Sequence, residues 1–542
     1  MDGRRYGVVF IVNSIRLNSL GRQFYRLHHS NRNRMNIQTK LTILFFCILK
    51  LTLHLIADSH SGFQSDEFLY IESGRHLAFG YMELPPLTGL LAFIQNLFHS
   101  HSVFVYHIFP HIAMLLIVIY VGKITVELGG RNIAVFITLF CLLIAPGFEG
   151  SQQPFEPVVF NQLFWVLCFY QLTRFVKHGN GKYLWHLTLF TALFFLTKYD
   201  ALFFGFGLLS LLFFGKTRVA LIAGKYWQCL IISFLILLPN IIWQYANDWP
   251  ALQMFHRLYE TQLDDLAPMH VLRDLFLSVN PIAFILMLPA FVFMFVNKSN
   301  KSLYLPLACS ILLSAVFLTY SKGKAYYFFP IVLTILPFCG IFWEGLLLPK
   351  RKWLLYPLSF ILLIGAVLIP FGMPVYSFPH YLNSVFKYSA KEKKNGKVVL
   401  PIQEYNAKEK WKTMMQQLQF VYDSLPENEK KNCLIWGKHY SQAGAVELFK
   451  DEYRLPNAFS YHGSFYTWAP TDKMPETVIA FCYNDTDDDF FYPFFEEVTP
   501  VRKIYSDYAS SEGWVVQTIF ICHKPKQSFD KMKELFKKRI FE

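Results

Sequence analysis

Residues 39–70 read TKLTILFFCILKLTLHLIADSHSGFQSDEFLY. From Leu41 the stretch stays apolar for about the 20 residues that a helix needs to cross a bilayer core. It then gives way to Ser65-Asp66-Glu67, a polar step with two adjacent carboxylates. Apolar runs and polar loops alternate in this way as far as residue 372. Only 16% of the 542 residues are charged, while 18% are aromatic; a soluble globular chain carries about 25% charge. The expectation is a polytopic α-helical membrane protein with about 11 spans (range 10–13): 39–57, 103–122, 132–146, 158–175, 183–197, 200–215, 226–245, 281–297, 303–320, 325–345 and 353–372. Residues 85–98 are apolar but too short to cross, and read as a re-entrant or interfacial helix.

Charge placement orients the bundle. With the N-terminus inside, the inner loops hold thirteen basic residues against one acid, Glu127. The outer segments hold thirteen acids against six basic residues, Arg75, Lys198, Arg257, Arg273, Lys322 and Lys324. Positive-inside topology accounts for the bias, and the six exceptions invite another assignment, such as a phosphate partner. The formal charge of +13 is therefore a matter of topology and of an Arg-rich segment at 1–34, not of nucleic-acid binding. That segment reads as a basic cytosolic extension (1–37) or a transit peptide, or else Met35 is the true start. The nine cysteines imply no disulfide framework.

Spans 38–374 form one transmembrane domain, with a first outer loop at 58–102. Beyond it the chain turns charged, and an odd span count puts residues 375–542 outside as a soluble α/β domain. Residues 411–425 and 529–541 read as helices; 433–436, 478–482 and 514–522 read as strands.

Four outer features carry chemistry. Adjacent carboxylates at Asp66 and Glu67, beside aromatic residues, suit a catalytic base, or else a helix cap and first turn. Gly80-Tyr81-Met82-Glu83-Leu84-Pro85-Pro86 fixes Glu83 near Asp66, where two carboxylates could hold a divalent metal ion. Trp243 and Gln244, followed by Trp249-Pro250 and His256, suit a sugar platform with His256 as a metal ligand, or an interfacial aromatic belt. Lys322-Gly323-Lys324-Ala325-Tyr326-Tyr327 opens a span with cations on the side that topology disfavours, which points to a phosphate. His107 and His111, four apart, have ligand spacing without an acidic or cysteine partner in the neighbouring sequence. Asp485-Thr486-Asp487-Asp488-Asp489 reads as a solvated loop. No P-loop or dinucleotide fingerprint is present.

The order of these motifs resembles the membrane glycosyltransferases of the GT-C class. The nearest group is family 39, with the bacterial relatives of protein O-mannosyltransferases and of the lipid A aminoarabinose transferase. The resemblance covers about 38–470. It also includes Phe164-Trp165, Thr197-Lys198-Tyr199, Pro330 after the late lysine-tyrosine motif, and, in the tail, residues 439–445, Leu455-Pro456 and 464–468. It implies that Asp66, with Glu67, supplies the catalytic carboxylate and that Glu83 lies near metal or donor phosphate. Lys324 and Tyr327 would face the donor, with Trp243, Gln244 and Tyr326 on the substrate. Leu84 and Leu69 stand where some relatives have lysine and arginine, so phosphate contact would fall to Lys198, Lys322 or Lys324. Asn161 replaces a frequent aspartate.

On this reading the protein moves a sugar, with inversion, from a polyprenyl-phosphate donor to a lipid, glycan or protein acceptor at the outer face of a bacterial inner membrane among membrane lipids. The alternatives are a non-catalytic lipid or solute transporter, which would place ionisable residues mid-span, and an envelope-assembly scaffold.

Overall fold

The computed structural model describes residues 35–223, 227–348, 351–388, 391–400, 402–484, 489–510, 513–537 and 539. The Arg-rich segment 1–34, the loop lysines Lys225 and Lys350, and residues 485–488 of the aspartate run lie outside the described residues.

Asn36 caps the first span, its side chain accepting the Thr39 N–H at 2.7 Å. The helix Ile37–His60 has 24 residues, about 36 Å at 1.5 Å per residue, enough for a hydrocarbon core of about 30 Å. Its polarity is turned inside out. Leu41, Leu44, Phe45 and Ile48 are exposed on one side, whereas Lys50, His54 and Asp58 are buried on the other. Such a helix suits lipid outside and a polar interior.

Every one of the eleven expected segments is helical. Among the described residues, six helices are long and apolar enough to cross a membrane: Ile37–His60, Ile108–Glu127, Trp227–Ala246, Lys301–Tyr320, Ala325–Leu347 and Lys352–Phe371. The number rises to 9 if each of three bent pairs is one span. Those pairs are Asn132–Leu143 with Pro146–Gln152 (70°), Ala201–Phe213 with Gly215–Ile222 (105°), and Pro268–Ser278 with Pro281–Val296 (111°). The remaining two segments fail for different reasons. Pro157–His178 has 22 residues but contains Asn161, Gln162 and Gln171, polar groups tolerated because they are buried among other helices. Lys182–Phe195 has only 14 residues. The short helix over 85–98 is Leu87–Asn96, packed so closely that a Cβ at Gly74 would meet the Phe93 backbone nitrogen at 2.4 Å.

The tail holds a five-stranded sheet in the order Ala458–Phe459, Leu434–Gly437, Thr477–Asn484, Val516–Pro525, Phe495–Tyr505. The first three strands are parallel and the last two antiparallel. The helices fall at Glu404–Asp423 and Phe529–Phe536, close to the expected positions. Two elements escape a reading by apolar runs. The edge strand Phe495–Tyr505 is exposed and charged, with a register irregularity between Pro500 and Arg502, features that protect a sheet edge. The helix Tyr440–Tyr453 begins with a capping box, His439 bonding the Ser441 N–H and Gln442 returning to the His439 N–H.

That helix docks the tail onto the first loop. A Cβ at Gly444 would touch the Phe68 Cβ at 2.8 Å, so its Ala443-Gly444-Ala445 run is what lets the helix lie against Glu67–Ser73. Phe68 meets Trp411 edge-on at 4.8 Å, and Trp411 donates its indole N–H to the Phe63 carbonyl at 2.9 Å. One continuous apolar core runs from the spans into these tail residues. The loop after the first span and the C-terminal domain therefore share one side of the bundle.

Candidate active site

Asp66 stands at the N-terminus of the helix Glu67–Ser73, and Tyr440 of the docked tail helix donates its hydroxyl to Asp66 Oδ1 at 2.6 Å. Glu83 points into the tail. Its carboxylate accepts the Ser464 N–H at 2.8 Å and the Ser464 hydroxyl, while the Met82 N–H donates to the Ser464 oxygen at 3.0 Å. Burial pushes the Glu83 carboxyl up to about 7 against these bonds, and the charge of Asp66 adds to the push.

Cations face the same place. Lys198 pairs with Asp200 at 3.0 Å, and Asp200 is approached by the Asn161 amide at 3.5 Å. The Lys198 ammonium lies 4.5 Å from the Tyr327 ring centre and 5.2 Å from that of Tyr326. Burial works against its charge, but Asp200, Tyr327 and Glu156 more than restore it, and its pKa stands above the ordinary lysine value. Lys324 donates to Gln262. Burial and the neighbouring Lys198 lower its pKa, with Asp66 partly compensating. Two partly desolvated ammonium groups that repel each other, with a carboxylate opposite, form a site that would gain from a dianion.

The sequence reading did not single out Glu156, Tyr70 or Tyr440. Glu156 is held well above the usual carboxylate range, first by burial and then by Asp66, Glu67 and Glu404, with Lys198 opposing. Tyr70 is raised by burial and by Asp66, Glu156 and Glu83. Tyr70 lies one turn beyond Asp66 on the helix Glu67–Ser73, Glu156 precedes the helix Pro157–His178, and the fold brings the two together.

Other expected residues stand elsewhere. Glu67 is not a free base: buried, it accepts from the Gln64 N–H at 2.7 Å and the Phe155 N–H at 2.9 Å, and meets His107 Nε2 at 2.9 Å. Lys322, on a left-handed backbone (φ 52°), turns away to Asp264 at 2.7 Å. Of the other basic exceptions to topology, Arg75 is bound to Glu72, Arg273 to Asp274, and Arg257 lies in the last turn of the helix Pro250–Leu258; Lys198 and Lys324 are coupled to the carboxylates of the site, Glu156 and Asp66. Gln244 is a strut: its amide donates to the Tyr199 hydroxyl at 3.1 Å and its carbonyl accepts the Ala251 N–H at 3.2 Å. Trp243 packs on Gly80, where a Cβ would lie 2.5 Å from the ring. The two residues expected as metal ligands, Glu83 and His256, are engaged separately. His256 lies exposed beside Glu260 at 3.2 Å, one helical turn away, while Glu83 is engaged by Ser464.

The acid partner that His107 and His111 lack in sequence comes from the first span. Asp58 Oδ1 meets His107 Nδ1 at 2.7 Å, and Asp58 Oδ2 lies 3.2 Å from His111 Nε2. Among the described residues this trio has the spacing of a metal site, with ligand atoms within 4.8 Å of one another.

This bundle, with its tail docked over the first loop, has the fold of ArnT. Residues 84–243 match the family model described as dolichyl-phosphate-mannose-protein mannosyltransferase. The crystal structure of ArnT from Cupriavidus metallidurans bound to undecaprenyl phosphate superposes with a TM-score of 0.58 at 12% identity, covering 88% of this chain and 97% of that one. The apo state of the same ArnT gives 0.57 at 13% identity over the same shares. No curated protein matches the chain.

Proposed function

We propose that this protein is a glycosyltransferase that takes a sugar from a polyprenyl-phosphate donor at the membrane face carrying the C-terminal domain and passes it, with inversion, to a lipid, glycan or protein acceptor. One observation carries the reading: Lys198 and Lys324 act electrostatically on the same small region as Asp66. The phosphate of the matched family's carrier and the undecaprenyl phosphate bound by ArnT both belong to polyprenyl-phosphate chemistry, which the two lysines would suit. The inner-loop excess of lysine and arginine supports a face outside the cytosol, and with it a bacterial inner membrane.

The chemistry divides among the residues. Asp66, oriented by Tyr440, removes the proton as the acceptor oxygen attacks the anomeric carbon. The bond from that carbon to the phosphate oxygen breaks, and Lys198 and Lys324 stabilise the charge that the departing phosphate takes up. Tyr326 and Tyr327 wall the donor beside Lys198. Glu83 fixes the tail over the loop instead of ligating a metal.

The transporter reading gains one point. Lys50 and His54, inside the first span, are buried and bound to Glu149, so ionisable groups do occur mid-span. Incubating purified protein with radiolabelled polyprenyl-phosphate sugars and a membrane extract separates the readings. Transfer of label to a new product, abolished in Asp66→Asn, supports the transferase. Label that stays on its carrier in the wild type as in the variant rejects it.

A further inference from the structure

The first span brings a row of buried ionisable groups to the base of the first loop. Lys50 binds Glu149, His54 Nε2 meets the other Glu149 oxygen at 3.0 Å, and Asp58 reaches His107, which continues to Glu67. All of these side chains are buried. The row holds three carboxylates, Asp58, Glu67 and Glu149, against one obligate cation, Lys50. Two further positive charges are needed, from protonated histidines or from one divalent ion, because uncompensated buried charge is costly.

The geometry favours the ion. His111 Nε2 and Asp58 Oδ2 face each other at 3.2 Å, yet neither makes a hydrogen bond, although both are buried. That separation is close to the edge of a tetrahedral site, ~3.3 Å when each ligand stands about 2.0–2.1 Å from zinc. His107 Nδ1 stands 2.7 Å from Asp58 Oδ1, a contact that a bound ion would replace, while its Nε2 is bonded to the Glu67 carboxylate at 2.9 Å, the carboxylate–histidine arrangement that orients metal ligands. Gln153 supports Asp58 by donating a side-chain N–H to Oδ1 at 3.0 Å. A cavity of about 370 Å³ reaches His107, with Glu67 and Gln153 beside it, and a second of about 350 Å³ reaches Asp58.

We propose that Asp58, His107 and His111 bind one zinc ion, which ties the first and second spans together and, through His107 and Glu67, fixes the start of the helix headed by Asp66. Two imidazoles and a carboxylate are a donor set for a borderline divalent metal. The ion is structural and takes no part in sugar transfer, so the proposal stands or falls apart from the proposed activity.

The test uses the full-length protein in detergent, stripped with EDTA, loaded with ZnCl₂ or CoCl₂, desalted and assayed by elemental analysis and visible spectroscopy. Wild type should retain about one zinc per chain, and the cobalt form should show the intense bands of a tetrahedral centre. His111→Ala and Asp58→Ala should retain less than a tenth as much, while Glu83→Gln and His256→Ala keep the full complement. Glu67→Gln should weaken zinc binding by about 10- to 100-fold. His111→Gln, with a polar side chain, guards against loss through misfolding, its fold being checked by comparing its melting temperature in EDTA with that of the stripped wild type. A wild type that retains neither metal overturns the proposal, as does a His111 variant that keeps its zinc.

Discussion

Tyr440 donates its hydroxyl to the Asp66 carboxylate at 2.6 Å across 374 residues of chain, so the tail completes the surroundings of the proposed base. A hydrogen bond to a charged group contributes about 1.5–3 kcal/mol. Tyr440→Phe is therefore expected to lower turnover by about 10- to 100-fold with little change in KM for the donor, measured with radiolabelled polyprenyl-phosphate sugar. Asp66→Asn should remove turnover altogether. Equal rates for Tyr440→Phe and wild type would show that the bond does not orient the base.

Lys198 and Lys324 should separate under mutation. Lys324 has one neutral partner, Gln262, and Lys324→Gln should weaken binding of undecaprenyl phosphate at least tenfold while leaving the melting temperature nearly unchanged. Lys198 is paired with Asp200, so Lys198→Gln strands a buried carboxylate. Losing one member of such a pair costs about 3–5 kcal/mol. That variant should lose both phosphate binding and thermal stability, and Asp200→Asn added to it should recover part of the stability. A Lys198 variant that melts like the wild type would remove the pair from the account.

What the sequence displays and what it hides follow from how far each signal reaches. Apolar runs report helices because lipid demands them locally, and Asp66, Lys198, Lys324 and Glu83 stand in short motifs whose order is visible. Tyr440 and Ser464 stand in the tail segments 439–445 and 464–468, but their roles, like that of Glu156, come from tertiary contacts that no local pattern shows. The partner of His107 and His111 does leave a mark in the sequence: Lys50, His54 and Asp58 repeat every four residues on one face of an apolar helix, so a single buried polar stripe follows from the 3.6-residue turn. The ligand chemistry of His256 is taken up on its own helical face, where Glu260 is the neighbour.

The Glu83 carboxyl, raised to about 7 in the folded protein, makes stability depend on pH. An unfolded glutamate titrates near 4.3, so between those values the folded state holds the extra proton. The stabilisation is complete below about pH 4.3 and is lost as the pH rises through about 7, with a slope of up to about 1.4 kcal/mol per pH unit. Melting temperature should fall from pH 5 to pH 8 in the wild type and fall less steeply in Glu83→Gln. Parallel curves for the two proteins would assign the dependence to other groups.

Gly463 decides whether Glu83 and Ser464 can meet. Its φ is +60°, and a Cβ there would lie 1.9 Å from Glu83 Oε1. Two penalties would follow from Gly463→Ala: about 1–2 kcal/mol for a left-handed backbone and the displacement of the carboxylate. Asparagine tolerates the left-handed region but still carries a Cβ, so the variants separate the two effects. If backbone strain dominates, Gly463→Asn should melt above Gly463→Ala; if the clash dominates, both should melt alike. The clash is expected to dominate, because the Glu83 carboxylate is held by the Ser464 N–H and hydroxyl and cannot swing aside without giving up those bonds. Removing the obstructing carboxylate should then make the second substitution nearly harmless. In a double-mutant cycle, Gly463→Ala on a Glu83→Ala background should cost at least 1 kcal/mol less than on the wild type. Additive costs would mean that the loop and the tail do not meet through this pair.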